Sequence, residues 1–197
     1  MNIENSKGTL QNLLLKVQEQ NNRSADFLAS TSNLQKITND EGKPQMVIEA
    51  TGGEPTRILD VNDHAFGQIA QNVEIDTRTA RRLQEKVPHE YDGVVNALFQ
   101  KEPTNRMVRT FLDTDETTGT ARAFVSDKFK TFDNVNLLNA SLPQLMDSDA
   151  QWQVVNGTVT DKRLYIRLKS EVQTGEAAVG DFMANGIGLS NSEVGAG

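Results

Sequence analysis

The feature that most constrains the fold is an alternation of apolar and polar side chains between residues 163 and 169. Leu164, Ile166 and Leu168 alternate with Arg163, Tyr165, Arg167 and Lys169. Successive side chains of a β-strand point to opposite faces of a sheet, so this pattern predicts a strand with one buried and one solvated face. Such strands are typical of antiparallel sheets that cover a core on one side only.

Two pairs of segments predict β-hairpins. Residues 107–112 and 120–125 have a period of two and flank a long acidic loop, which predicts one hairpin. Residues 152–158 and 162–169 flank Thr160 and Asp161 and predict a second.

Apolar residues at helical spacing predict several short helices, which begin near Thr9, Asp63, Thr77, Pro88 and Asp133. Pro143 predicts a kink or an early end in the last of them. Together with the hairpins, these helices predict an α+β fold in which a mostly antiparallel sheet of hairpins packs against several short helices.

The N-terminal part of the chain is harder to interpret. Residues 20–45 are polar and weakly periodic, which predicts a long loop, and residues 46–50 and 57–61 predict two short strands. We therefore predict a division into residues 1–60, with a helix, a polar loop and a strand pair, and residues 61–197, which form the main α+β domain.

The composition excludes several classes of protein. The 197 residues include no cysteine, so disulfides, thiolate metal sites and a cysteine nucleophile are excluded. No segment approaches the roughly 20 apolar residues of a membrane helix, and the N-terminus lacks the pattern of a secretory signal. The sequence therefore predicts a protein that stays in the cytoplasm, with no membrane partner.

The charge is negative overall but unevenly distributed. The formal net charge is −7, which argues against non-specific binding to nucleic acid. Residues 76–130, however, carry 9 acidic and 10 basic side chains and form the only third of the chain that is not acidic. The objection to a polyanionic partner is therefore weakened in this region.

Three segments carry a family resemblance: VNDHAFGQIA at 61–70, ARAFVSDKFKTFDN at 121–134, and GLSNSEVG at 188–195. In these segments the chain resembles the phage- and plasmid-associated proteins of domain-of-unknown-function family 932. The resemblance spans roughly residues 61–197 and leaves the first 60 residues uncovered.

The resemblance implies an origin in a mobile genetic element rather than a mechanism, because the family has no established activity. The family often has Arg-Tyr where this chain has Lys128-Phe129, which keeps the charge and loses a hydroxyl. Family members continue beyond the third segment, so we expect this chain to be truncated at its C-terminus relative to them.

The solvated side of the strand at 163–169 is the main candidate site. Arg163, Arg167 and Lys169 flank Tyr165, and cations beside an aromatic ring suit phosphates and unstacked bases. Further cations on nearby segments extend the predicted nucleic-acid-binding set to Arg122, Lys128 and Lys130. A solvated sheet face, or internal ion pairs with nearby acids, explains the same residues equally well.

Two other groups of residues have simpler explanations. Arg78, Arg82 and Lys86 lie four residues apart on a predicted helix, which fits either a phosphate-contacting stripe or an ordinary solvated face. Asp60, Asp63 and His64 fit a divalent metal less well than they fit a helix cap. We predict no catalytic residue, no metal and no cofactor.

Two hypotheses for the function follow. The first is a non-enzymatic, phage- or plasmid-encoded protein that binds or anneals single-stranded DNA in DNA metabolism or recombination. The second is a protein-interaction, assembly or host-takeover module that binds itself as a homo-oligomer, or a phage or host protein, without nucleic acid. An enzyme is the weakest class, because the sequence has no nucleophile elbow, phosphate loop or zinc spacing.

Overall fold

The computed structural model describes the backbone of residues 3–178 and 181–195, and the side chains of residues 10–170, 172 and 185–195. The helices are α1 (Ile3–Arg23), α2 (Asp63–Asn72), α3 (Thr77–Lys86), α4 (Pro88–Lys101) and α5 (Asn134–Met146), with a short 3-10 helix at Thr31–Asn33. The strands are β1 (Ser24–Ser30), β2 (Leu34–Thr38), β3 (Pro44–Ile48), β4 (Arg57–Val61), β5 (Asn105–Leu112), β6 (Thr118–Ser126), β7 (Trp152–Val159), β8 (Leu164–Ala178) and β9 (Asp181–Asn191). The predicted α+β class is confirmed. None of the described helices is long and apolar enough to cross a membrane.

The chain forms two compact units. The central unit is Arg23–Lys130, and the terminal unit combines Met1–Asn22 with Thr131–Gly197. This division differs from the predicted boundary at residue 60, because β4 pairs with β3 on one side and with β6 on the other. Strands from both sides of residue 60 therefore share one sheet.

The central unit is built on a six-stranded sheet with the order β1-β5-β6-β4-β3-β2. All neighbouring pairs are antiparallel except β4 and β6, which run parallel. Its core combines sheet residues such as Leu59 and Phe124 with helix residues such as Ile69 and Phe99. The rings of Phe99 and Phe124 stack with centroids 5.8 Å apart, which joins α4 to the sheet.

The terminal unit is built on a three-stranded antiparallel sheet with the order β7-β8-β9. Its core is formed by residues of α1, α5 and β8: Leu13, Val17, Leu138, Leu164, Ile166 and Leu168. A Cβ atom at Gly157 of β7 would come within 2.9 Å of Leu13 Cδ1, so the glycine permits a close approach of helix and strand. The two helices cover one face of β8 and leave the opposite face to its odd-numbered side chains.

The prediction of a loop over residues 20–45 is wrong. This segment contains the end of α1, then β1, the 3-10 helix and β2. The hydrogen-bond partners of β1 lie on β5, more than 70 positions away in sequence, so local periodicity gives little sign of the strand.

Of the kink or early end predicted at Pro143, the early end is wrong, because α5 continues to Met146. Proline removes one N–H donor, but the Pro143 carbonyl still accepts the N–H of Asp147 at 2.9 Å, which closes the last turn.

Candidate nucleic-acid interface

Four side chains at and within β8 form what we call the basic sheet face: Arg163, Tyr165, Arg167 and Lys169. All four are exposed, whereas Leu164, Ile166 and Leu168 between them are buried, so the predicted alternation is confirmed. Tyr165 retains 43% of its accessible surface. Its ring therefore lies on the same solvent side as the three cations.

The strand register supplies the neighbours of this face. Each residue of β8 has one partner on β7 and one on β9: Gln153 and Gly186 for Lys169, Asn156 and Gly188 for Arg167, and Thr158 and Ser190 for Tyr165. Directly paired residues share a face of an antiparallel sheet. None of these three rows contains an aspartate or glutamate. Arg167 and Lys169 are therefore flanked across the sheet by amide and glycine positions, and Tyr165 by two hydroxyl positions.

Tyr165 leans towards the edge strand β9. A Cβ atom at Gly188 would lie 4.0 Å from both Cε2 and Oη of Tyr165, so the glycine leaves the ring in contact with open backbone. Aromatic side chains commonly cover a cross-strand glycine in this way. The ring is thus partly fixed by β9, and the rest of its surface is free for stacking.

The charges on the face differ in their surroundings. Among the side chains that the structure describes, no carboxylate pairs with Arg167 or Lys169. Arg163 lies at the hairpin turn, where its backbone N–H donates to Thr160 Oγ1 at 3.0 Å. The turn therefore fixes the backbone from which the first cation of the face projects.

Arg122 does not belong to this interface. It is only 1% exposed, its guanidinium lies 4.1 Å from the centre of the Phe111 ring, and Nη2 donates to Ser24 Oγ at 3.0 Å. A phosphate cannot reach a side chain held in this way. Arg109 of β5 pairs with Ala123 and Thr110 pairs with Ala121, so Arg122 is the extra residue of a bulge in β6, and simple alternation does not apply to it.

Lys128 and Lys130 are exposed, but they belong to the central unit. They follow the end of β6, where the backbone N–H of Lys128 donates to Ser126 Oγ at 3.0 Å. They share no element with the basic sheet face, so we treat them as a separate pair of surface cations.

The sequence interpretation missed a buried polar cluster in the central unit. Lys36 of β2 is 1% exposed and donates to Asp92 Oδ1 and, at 2.7 Å, to Gln84 Oε1. Its Nζ also lies 4.6 Å from the centre of the Tyr91 ring, and Asp92 accepts the Thr38 hydroxyl at 3.0 Å. The only available signal was the period-two placement of Lys36 between Leu34 and Thr38, in a segment interpreted as a loop.

Burial dominates the electrostatics of this cluster. It lowers the pKa of Lys36 below its ordinary value of 10.5, although the hydrogen bond and charge of Asp92 act in the opposite direction. Burial, with a smaller effect of the Asp92 charge, raises the pKa of Tyr91 to about 12. Because Lys36 and Asp92 are buried and bonded to each other, we assign the cluster to stability rather than to ligand binding.

Asp60 and Asp63, which from sequence fit a metal site less well than a helix cap, contact different partners. Asp60 accepts the side-chain amide of Gln45 at 2.8 Å, and Asp63 pairs with Arg81 at 2.9 Å. Asn62, rather than Asp63, caps α2 by accepting the N–H groups of His64 and Ala65. Within the described residues, no group of three acidic or histidine side chains is arranged to hold a metal ion.

Comparison of the chain with protein families, with curated proteins and with solved structures finds no match. The resemblance to family 932 therefore stays a prediction. Any functional argument depends on the geometry of the molecule itself.

Proposed function

We propose that this chain is a non-enzymatic protein that binds single-stranded nucleic acid through the basic sheet face. The observation that supports the proposal is the common exposure of Arg163, Tyr165, Arg167 and Lys169 on one side of β8. Its setting would be the DNA metabolism or recombination of a phage or plasmid in the host cytoplasm, which follows only from the family resemblance.

The spacing of these side chains suits an extended polyanion. Residues two positions apart on a strand are separated by about 7 Å, so the cations form a line rather than converging on one phosphate. A tyrosine within that line offers a surface for an unstacked base, and such stacking contributes about 1–3 kcal/mol per base. A duplex, whose bases are already stacked, gains nothing from the ring.

The net charge of −7 opposes a polyanion, so single-strand binding through this face should depend strongly on salt. Each phosphate contact to a single strand contributes about −0.7 to the slope of log K against log salt concentration. Three cations therefore predict a slope of about −2.

The experiment is a fluorescence-anisotropy titration with a labelled oligothymidine at low salt. Arg163→Ala combined with Arg167→Ala should abolish most of the binding and reduce the salt slope. Tyr165→Ala should weaken binding by the free energy of stacking one base, about 1–3 kcal/mol, while Tyr165→Phe should preserve the affinity. Lys16→Ala with Lys162→Ala is the matched control, because it removes two cations of the same unit from outside the three rows.

Absence of binding at micromolar protein would refute the proposal. So would equal losses in the double-arginine variant and in the lysine control, since that result would indicate a general charge effect.

The edges of the terminal sheet favour a second candidate function, a protein-interaction or assembly module. In the described part of the chain, β7 and β9 each pair with β8 alone, and unpaired strand edges can accept another strand. Size-exclusion chromatography with light scattering tests this alternative. A strict monomer that captures no phage or host protein would count against it.

A further inference from the structure

The central unit contains two helices joined by a short, fully hydrogen-bonded turn. Helix α2 ends at Asn72 and α3 begins at Thr77. The Ile75 N–H donates to the Ala70 carbonyl at 2.9 Å, and the Glu74 N–H donates to the Gln71 carbonyl at 3.1 Å. Glu74 has a φ of 57°, so this is a Schellman cap with glutamate in the left-handed position that glycine usually occupies.

The second helix starts immediately and packs on the first. Asp76 caps α3 by accepting the Thr79 N–H at 3.0 Å. On the inner side Ala80 is fully buried and Leu83 packs against the core. A Cβ atom at Gly67 would lie 3.6 Å from the Thr77 side chain, so the two helices approach closely at their crossing. A helix, a four-residue turn and a second packed helix make up a helix-turn-helix.

The outer side of α3 is exposed and basic. Arg78, Thr79, Arg82, Glu85 and Lys86 are all exposed, and the 10-residue helix carries four basic side chains against one acidic one. Arg78 and Thr79 lie in its first turn, and Arg82 and Lys86 follow at intervals of four on the same side as Arg78.

The acidic residues of the two helices are mostly engaged by local contacts. Asp63 pairs with Arg81 at 2.9 Å, Asp76 serves as the helix cap, and Glu85 pairs with Lys86 at 2.7 Å. The guanidinium of Arg81 also lies 5.6 Å from the centre of the Phe66 ring, so Arg81 joins the two helices rather than facing outward alone. Arg78 and Arg82 are therefore the cations best placed for a partner.

We infer that α3 is a recognition helix that binds double-stranded DNA in the major groove. The groove is about 12 Å wide and admits an α-helix, and the second helix of a helix-turn-helix contacts base edges with its N-terminal residues. Arg78 and Thr79 occupy that position, while Arg82 and Lys86 contact phosphates. This surface lies in the central unit and is independent of the single-strand site proposed on β8.

The experiment measures binding of the whole chain to a labelled random-sequence duplex and, separately, to labelled oligothymidine, at about 50 mM salt. Arg78→Ala with Arg82→Ala should weaken duplex binding by roughly tenfold or more and reduce the salt slope by about 1, because one base-edge contact and one phosphate contact are lost. Lys43→Ala with Lys101→Ala is the matched control, since it removes two exposed cations of the same unit from other elements. Circular dichroism melts establish that each variant is folded.

The two proposals fail separately. The inference is supported if the α3 variant loses duplex binding and keeps single-strand binding, while Arg163→Ala with Arg167→Ala does the reverse. It is overturned if the wild-type chain binds no duplex, or if the β8 variant alone abolishes duplex binding. Photo-crosslinking to a bromouracil-substituted duplex is a second readout: adducts in residues 77–86 support the inference, and adducts only in residues 152–191 overturn it.

Discussion

Replacing Asp92 by asparagine tests the importance of the buried Lys36–Asp92 pair. The substitution preserves the size of the side chain but removes the negative charge beside an ammonium group that is 1% exposed. Gln84 and the Tyr91 ring remain as neighbours of Lys36, and neither carries a compensating charge. The lysine must then stay charged in a closed site or lose its proton.

Loss of the Lys36 proton sets an upper limit for the stability that Asp92→Asn can remove. Neutralising a lysine with an ordinary pKa of 10.5 at pH 7 requires about 5 kcal/mol, at about 1.4 kcal/mol per pH unit. Breaking a buried ion pair by removing one partner generally costs about 3–5 kcal/mol. We therefore expect Asp92→Asn to lower the free energy of unfolding by about 3–5 kcal/mol at pH 7.

The loss of unfolding free energy caused by Asp92→Asn should become smaller as the pH rises. The unfolded chain keeps the Lys36 proton up to about pH 10.5, whereas burial lowers the Lys36 pKa and the variant lacks the Asp92 charge that opposes this, so the folded variant binds fewer protons as the pH approaches 10.5. Stability of the variant then increases by up to about 1.4 kcal/mol per pH unit between pH 7 and 10. Urea denaturation of variant and wild type at each pH measures the difference.

The exposed Asp40→Asn in the turn before β3 is the matched control and should change stability by less than about 0.5 kcal/mol. A loss below about 1 kcal/mol for Asp92→Asn, or a loss that does not change with pH, would refute the reasoning.

Three further substitutions test other features, each by urea denaturation. Tyr91→Phe removes a buried hydroxyl without a hydrogen-bond partner among the described residues, and should leave stability unchanged or raise it by about 1 kcal/mol at pH 7. Because folding raises the pKa of Tyr91 from 10.0 to about 12, the wild type should lose about 2 kcal/mol relative to this variant as the pH rises from 10 to 12. Parallel pH profiles of the two proteins would contradict this. Glu74→Gly should stabilise by about 1 kcal/mol, since φ is 57° there, and a loss would argue against the left-handed cap. Gly119→Ala should destabilise by about 3 kcal/mol or more because its Cβ would overlap the Phe111 carbonyl, whereas Gly93→Ala on the open face of α4 should not destabilise.

Much of the candidate interface could be predicted from sequence because it depends on a local pattern. The period-two run at 163–169 identifies which side chains share a face, and α1 and α5 then bury the apolar set. The same reasoning identified the basic stripe on α3. It did not identify the turn before α3 as the centre of a helix-turn-helix, because glutamate rather than glycine occupies the left-handed position there.

Residues whose role depends on distant partners could not be predicted in this way. Arg122 was expected at the surface, but Phe111 and Ser24 bury it, and Ser24 is 98 positions away in sequence. Lys36 was placed in a loop, but Asp92, 56 positions later, holds it inside the central unit. Both side chains are charged, so their own hydrophobicity gave no sign that they are buried.

The sequence by itself determined the α+β class, the period of each main element and the surface on which the cations of β8 lie. Periodicity is local, and the backbone geometry of a strand or helix converts it directly into faces. Only the tertiary structure decided how the chain divides into units and which charged side chains are buried. A charged group enters a core only where an opposite charge, an aromatic face or a hydrogen-bond partner meets it, and those partners come from strands and helices far apart in sequence.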